Sequence, residues 1–486
     1  MEAICTVDEL PRLLQQQDRN ALLDLIKRCG KEKDLVSARR IHGELLHRKL
    51  FVHDIYVNNA LLSLYSKCGA LSAAQHVFDK LPCRNVVSWN AIISAYARNG
   101  FGHEALNCFV SMQNVGICPN PVSYACVLKA CGILGSLKIG EDIDAEVRKQ
   151  GLLQKDVVLS TALMDMYAKC GALVKARDVF EQLPVQNVVS WNALITGYAH
   201  HGLCKEALEC FKQMKDAGVC PDVVTYVCVL KASGFVGSIE FGENIYVEVR
   251  KQGLLEKSVT LCNALMDMYF KCGVLEKARE VFEQFSVPDV VSWNILIGGY
   301  AQHGLSEEAI NCFRWMQHAG VCPNVVTYVG VIKACGIIGS LEIGEDIHAE
   351  VRNRGLLHKD VILDNALVDM YAKCGALEKA RHVFEQLPMK NVVTWSALIG
   401  GYAHHGHGDE ALKLFRQMQD VGVCPNSITY VSILKACGIV GSLEIGEIIE
   451  EEVRNQGLLE KEVALGNALM DMYSKCGALE KARKVF

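Results

Sequence analysis

The phrase NVVSWNALITGYAHHG, residues 187–202, sets an amide side chain, Asn192, directly after Trp191 in what otherwise reads as the packed start of a helix. Asn is a poor interior helix residue, because its amide competes with the backbone for hydrogen bonds. The chain nevertheless repeats the arrangement as NVVSWNAIISAYARNG from 85 and DVVSWNILIGGYAQHG from 289, then as NVVTWSALIGGYAHHG from 391, with Ser396 in place of the amide. An amide offers both a donor and an acceptor, and a hydroxyl offers one rotating O–H. The chemistry open to such residues is recognition of a polar edge. The competing reading is that Asn192 caps a helix and that Asp222 or Asn120 ends a turn, since such side chains favour those boundaries.

Other reactive groups lack the partners that catalysis or metal binding needs. Among the twenty-two cysteines, Cys68, Cys170, Cys272, Cys374 and Cys476 recur every 102 residues, as do Cys118, Cys220, Cys322 and Cys424. No C-x-x-C pair occurs, so the strongest zinc spacing is missing, and a thiol returning once per repeat reads as a small packing residue in a reducing compartment. There is no phosphate loop, nucleophile elbow or metal cluster, and His200 and His201 sit at repeat ends without partnered carboxylates. The residues therefore describe a binding module rather than an enzyme, with no metal and no cofactor.

The elements that must position these side chains follow from one period. Trp89, Trp191, Trp293 and Trp395 are spaced by 102 without an insertion. A strict period means stacked supersecondary units, and 486 residues far exceed the ~250 at which a single core stops growing. Each block holds three related subunits; in 188–289 they are 188–222, 223–258 and 259–289, of 35, 36 and 31 residues. Each reads as two helices and a turn. In LCKEALECFKQM, Leu203, Ala207, Phe211 and Met214 keep one helical face, Gly202 interrupts the chain before it, and Gly218 with Pro221 ends it. Trp191, Leu194 and Tyr198 mark the preceding helix. Half the residues are apolar and the net charge is −5, which leaves no global basic footprint, and no apolar run approaches the ~18 residues of a membrane span. Acidic residues in MEAICTVDELPRLLQQQD argue against a signal or transit peptide at the start of this sequence.

The stretch VVSWNALITGYAHHGLCKEALECFKQMKDAGVCPD closely resembles the pentatricopeptide repeat, and the 35–36–31 alternation resembles its PLS subclass of standard (P), long (L) and short (S) motifs. LMDMYAKCGALVKARDVFEQLP at 163–184 resembles a short motif, and VTYVGVIKACGIIGSLEIGEDIHAEV at 326–351 a long one. The resemblance covers residues 19–486 after an N-terminal segment 1–18. It divides them into L 19–54, S 55–85, P 86–120, L 121–156, S 157–187, P 188–222, L 223–258, S 259–289, P 290–324, L 325–360, S 361–391, P 392–426, L 427–462 and S 463–486, the last cut off at Phe486. The alternative is a tetratricopeptide-like peptide scaffold, whose period should stay at 34 and which has no reason to place Asn beside each aromatic.

The resemblance implies an all-α, right-handed superhelical solenoid, monomeric, with first helices lining the concave side. It implies sequence-specific binding of single-stranded RNA, an organellar transcript, by an organellar processing factor of the C-to-U editing type. Residence in a mitochondrion or chloroplast and an editing or recruitment partner in trans go with that reading. Such repeats read one base each with two or three side chains. The reading residues resemble the fifth and last positions of P and S motifs: Asn59 with Asn85, Asn90 with Asn120, Thr161 with Asn187, and Asn192 with Asp222. They continue as Asn263 with Asp289, Asn294 with Asn324, Asn365 with Asn391, Ser396 with Asn426, and Asn467 alone. By the family code these spell Y-Y-n-A-U-n-U-Y-n-Y-A. The L motifs carry Ala125, Val227, Val329 and Val431 at the fifth position and are expected to act as weak readers or spacers. Val87, Val189, Val291 and Val393 resemble the family's base-stacking wedge, with a buried β-branched residue as the alternative. Lys67, Lys169, Lys271, Lys373 and Lys475 in S motifs, and Lys27, Lys129, Lys231, Lys333 and Lys435 in L motifs, are expected to face phosphates, unless they only complement helix dipoles. Proteins of this kind often end in a zinc deaminase domain, which needs H-x-E and a downstream P-C-x-x-C. His348-Ala349-Glu350 matches the first half, but it lies in a second helix and no P-C-x-x-C follows.

Overall fold

Each repeat becomes a helical hairpin because the sequence supplies an apolar face and a left-handed stop in the same order, with a side-chain cap before nearly every first helix. A computed structural model describes residues 10–16, 18–48, 54–153, 155–285 and 288–485, and among these every regular element is helical. Helix Val188–His200 starts at Asn187, whose side chain accepts the backbone N–H groups of Val189 and Ser190. It ends at Gly202, where φ of 75° turns the chain into helix Cys204–Asp216. Gly218, at φ 72°, ends that helix in the same way. Left-handed backbone is strained for residues with a Cβ, which explains why glycine recurs there.

The chain forms two units, one up to Val236 and one from Gly237. In the first, helices Arg19–Glu32, Ile55–Lys67, Val86–Arg98, Pro121–Leu134, Val157–Lys169, Val188–His200 and Val223–Val236 pack in succession, and nearly all carry their own second helix behind. In the second unit the same succession runs through Val259–Lys271, Val290–Gln302, Val325–Ile338, Val361–Lys373, Val392–His404, Ser427–Val440 and Val463–Lys475.

The core is written by the same period. Trp191 is buried and meets Phe180 edge-on at 4.5 Å between centroids; Phe384 and Trp395 do the same at 4.6 Å. Such pairs are worth ~0.5–1.5 kcal/mol beyond the area they bury. Small residues let adjacent first helices approach: a Cβ on Gly197 would stand 2.6 Å from that of Ala168, and Gly401 meets Ala372 equally closely. The predicted stripe on the second helix needs one correction. Leu203 precedes helix Cys204–Asp216 and is exposed, so the buried face is Ala207, Phe211 and Met214 with Cys204, Leu208 and Cys210.

Candidate nucleic-acid interface

The last residue of each P or S motif is the N-cap of the next first helix. Asn85, Asn120, Asn187, Asp289, Asn324, Asn391 and Asn426 each accept backbone N–H groups of the first helical turn. Asp222 does likewise, taking the Thr225 N–H at 2.9 Å. The cap therefore fixes where this side chain stands relative to the preceding repeat. Asn192 caps nothing: it is the fifth residue of helix Val188–His200, inside the first turns.

Where a P motif meets an L motif, the fifth and last residues touch. The Asn192 amide donates to Asp222 Oδ1 at 2.9 Å, Asn90 to Asn120 at 3.0 Å, and Asn294 to Asn324 at 3.1 Å. The Ser396 hydroxyl reaches Asn426 at 3.3 Å while also bonding the Val392 carbonyl. A third group completes each cluster. Ser123, Thr225 and Thr327 donate their hydroxyls at 2.6 Å to Asn90, Asn192 and Asn294, and Thr429 lies 2.7 Å from the Ser396 hydroxyl. Sequence reasoning missed these four residues. Their signal was present, a hydroxyl three residues after the cap in every L motif from 121 on, but it reads as half of an ordinary capping box. Burial pushes the Asp222 carboxyl up, yet the Thr225 N–H, the Asn192 amide and the Thr225 hydroxyl outweigh it and hold the group below its usual range.

Where an S motif meets a P motif, the bonding differs. Asn263 and Asp289 are hydrogen-bonded, and the bonds Asp289 accepts hold its carboxyl low against the burial that raises it. The Asn263 Oδ1 has no partner, and neither has Asn59 Oδ1. Asn391 donates to Asn365 at 3.4 Å, the reverse of the direction in P motifs. Thr161 turns its hydroxyl back to the Val157 carbonyl at 2.7 Å, so it is held by its own helix rather than by Asn187. Asn467 is exposed on helix Val463–Lys475.

Beside these polar pairs, Val87, Val189, Val291 and Val393 are all exposed, so they are not core residues. The same position is apolar and exposed in L motifs, at Val122, Val224, Val326 and Ile428, and in S motifs at Tyr56, Val158 and Ile362. In the second unit a groove of about 820 Å³ runs past Asn365, Lys373, Val393, Ser396, Asn426 and Ile428, bringing a reading pair, flanking apolar residues and a lysine onto one surface.

Four S-motif lysines end their first helices, each bonded to an aspartate one turn earlier: Lys169 to Asp165, Lys271 to Asp267, Lys373 to Asp369 and Lys475 to Asp471, at 2.6–2.7 Å. Lys67 has Ser63 at the corresponding place and is exposed. Lys27 pairs with Asp24, and Lys435 lies 3.0 Å from His404. Lys129, Lys231 and Lys333 are exposed and form no ion pair among the described residues.

His348 is buried and bonds the Tyr371 hydroxyl at 2.8 Å, while Glu350 accepts from Tyr328 at 2.7 Å. The H-x-E match is thus split between two structural hydrogen bonds. Burial pushes thiols such as Cys131 and Cys335 up to about 12, which suits packing and opposes nucleophilic use. No group of three or more ligating side chains occurs among the described residues.

Models of the PPR repeat family match residues 84–132, 186–233, 288–336 and 390–438, and the PPR repeat matches 59–86, 158–188, 260–286, 365–392 and 467–486. The chain belongs to the pentatricopeptide repeat family. Among its relatives in Arabidopsis thaliana is a chloroplastic pentatricopeptide repeat-containing protein, 36% identical over 94% of this chain and 56% of that one. A mitochondrial one is 35% identical over 94% and 66%, and a second chloroplastic one 35% identical over 88% and 68%. The chain spans little more than half the length of the first of these. Among solved structures, maize PPR10 is 20% identical over 98% of this chain and 78% of its own, with a TM-score of 0.49.

Proposed function

We propose that the chain is a sequence-specific single-stranded RNA-binding module, reading one base per P or S motif, and that it acts without catalysis as a specificity factor in organellar RNA processing, most specifically C-to-U editing. One observation carries this reading: the fifth and last residues of each P motif, 30 positions apart in sequence, meet as hydrogen-bonded pairs beside exposed apolar side chains. A polar pair flanked by apolar surface suits a base, whose edge seeks hydrogen bonds and whose faces seek stacking. A peptide scaffold has no use for four such pairs at one register. The 35–36–31 alternation supports the editing assignment, and the compartments of the relatives support a chloroplast or mitochondrion. A partner in trans supplies the chemistry, and the chain binds as a monomer.

The test is a titration of the chain with single-stranded RNA carrying Y-Y-n-A-U-n-U-Y-n-Y-A, a scrambled strand and the corresponding duplex. The ordered strand should bind at least tenfold more tightly than either competitor, since each mismatched contact costs ~1–3 kcal/mol. Equal binding of ordered and scrambled strands would refute base reading, and absence of RNA binding would return the scaffold reading.

A further inference from the structure

Ser123, Thr225, Thr327 and Thr429 are fully buried, and all four hydroxyls bond the fifth residue of the preceding P motif. At the S-to-P junctions Ser88, Ser190, Ser292 and Thr394 are equally buried, but they bond the cap residue of their own helix, at Asn85, Asn187, Asp289 and Asn391. The four L-motif hydroxyls also lie 2.9–3.0 Å from their own caps, so the difference is the additional bond to the preceding motif, which the S-to-P junctions lack among the described residues.

Its consequence is an orientation. Asp222 Oδ1 accepts the Thr225 backbone N–H, so it can only face the NH2 of Asn192 and not its oxygen. The Asn192 oxygen then faces the Thr225 hydroxyl, which donates to it. A flipped amide would set oxygen against oxygen at Asp222. The same logic fixes Asn90 and Asn294, because Oδ1 of Asn120 and of Asn324 is committed to the backbone N–H of Ser123 and Thr327. Each amide is therefore held at both ends, leaving one N–H and one lone pair in a fixed sense. At Asn263, 8% exposed, the oxygen end has no such tether, nor has that of Asn59.

We propose that Ser123, Thr225, Thr327 and Thr429 are positioning residues for base selection, making each P motif discriminate between bases more sharply than the S motif before it. This rests on the base-reading function proposed above. The L motif thereby contributes to recognition through its neighbour, although its own fifth residue is apolar.

The experiment measures, by fluorescence anisotropy on the full chain, the ratio of affinities for RNAs differing only at the nucleotide aligned with motif 188–222, and likewise for 259–289. The parent ratio should be larger at the first. Thr225→Val should lower that ratio about tenfold, in line with a buried hydrogen bond to an amide, and leave the ratios at motifs 259–289 and 290–324 unchanged. Thr225→Ser should restore it, and Ser292→Ala should not alter the ratio at 259–289. Thr327→Val provides the same reading at Asn294 if Thr225→Val does not fold. A parent-like ratio in the valine variants, an equal loss of affinity for every RNA, or no rescue by serine overturns the proposal. A parent with no base preference at any motif overturns base reading itself, and the proposal with it.

Discussion

The junction at Asp222 and the junction at Asp289 use the same residue pair, Asn then Asp, and a family code would assign both the same base. Their bonding is not the same. Thirty-three residues separate Asn192 from Thr225, whose hydroxyl closes the cluster, whereas twenty-nine separate Asn263 from Ser292, whose hydroxyl goes to Asp289 instead. The shorter motif re-aims one hydroxyl and leaves a buried carbonyl oxygen without a partner. An amide bonded at both ends is held in one sense and one bonded at a single end is not, because an unmade bond in low dielectric is costly and relaxation is rewarded. The identity of a reading pair is thus only part of what a motif offers a base. The repeat length on which the pair sits supplies the rest.

Removing the cap tests the comparison with the largest effect. Asn120→Ala deletes the N-cap of helix Pro121–Leu134 and strips the partner from Asn90, which is 8% exposed, so it should cost about 2–3 kcal/mol of local stability. Asn85→Ala deletes the cap of helix Val86–Arg98 but, among the described residues, takes no bond from Asn59, and should cost about 1 kcal/mol. Because stacked repeats open locally, hydrogen exchange of the capped helices is the suitable measurement. Equal losses would mean that the two kinds of junction are energetically alike.

Next in size is a change of letter. Asn192→Thr with Asp222→Asn should move the preference at the fifth letter from U to A by roughly 1–3 kcal/mol, with other letters unchanged. The same exchange at Asn263 and Asp289 should move the seventh letter by less, since no hydroxyl of the next helix holds the Asn263 position. Thr161 indicates what a threonine does in an S motif: its hydroxyl bonds its own helix. If both exchanges act with equal force, the pair alone determines the reading.

These contrasts also mark how far the sequence could be read. The period, the two helices per motif and the buried Trp191, Phe211 and Met214 were legible because burial repeats every 3.6 residues and glycine must stand where φ is positive. The pairing of Asn192 with Asp222 came only by resemblance, since residues 30 apart meet through stacking that no local pattern encodes. Thr225 was invisible for another reason. Ser88 and Thr225 stand at the same place after a cap, and only three-dimensional placement separates a hydroxyl that serves its own helix alone from one that also reaches the preceding repeat. Leu203 was misplaced by one residue at a helix start, where boundaries are set by the cap rather than by periodicity.

Charge sharpens the contrast between motifs at a smaller scale. Asp165→Asn and Asp369→Asn together free two S-motif lysines from exposed pairs worth only ~0.3–0.5 kcal/mol each. Folding should be little affected. RNA affinity should rise severalfold at low salt with a steeper salt dependence, because each lysine that neutralises a phosphate adds to the slope. Lys169→Gln, Lys271→Gln and Lys373→Gln together should flatten it. If neither set changes the slope, those lysines complement helix ends and the unpaired Lys129, Lys231 and Lys333 of the L motifs carry the phosphate contacts.

The smallest expected effect asks whether any polar bond between successive motifs reads a base, or only those at the P and S caps. His348 belongs to an L motif and bonds Tyr371 of the following S motif beside a cavity of about 310 Å³ shared with Glu345, Arg352, Lys379 and His382. Burial lowers its pKa from 6.5 to about 4, with Arg352 adding to the effect and Glu345 opposing it. As pH falls, the unfolded chain takes up the proton first, so the contribution of the neutral ring is complete above about 6.5 and is lost towards about 4. The ring borders an open cavity, which screens the effect to about 1 kcal/mol. Hydrogen exchange of helices Leu341–Asn353 and Val361–Lys373 should therefore lose protection between pH 7 and 5.5 in the parent and not in His348→Gln. Over the same interval the base ratio at Asn365, on the second of those helices, should not change. A ratio that followed the titration of His348 would mean that the L-to-S junction also sets the reading side chain, and the division between held and unheld motifs would have to be redrawn.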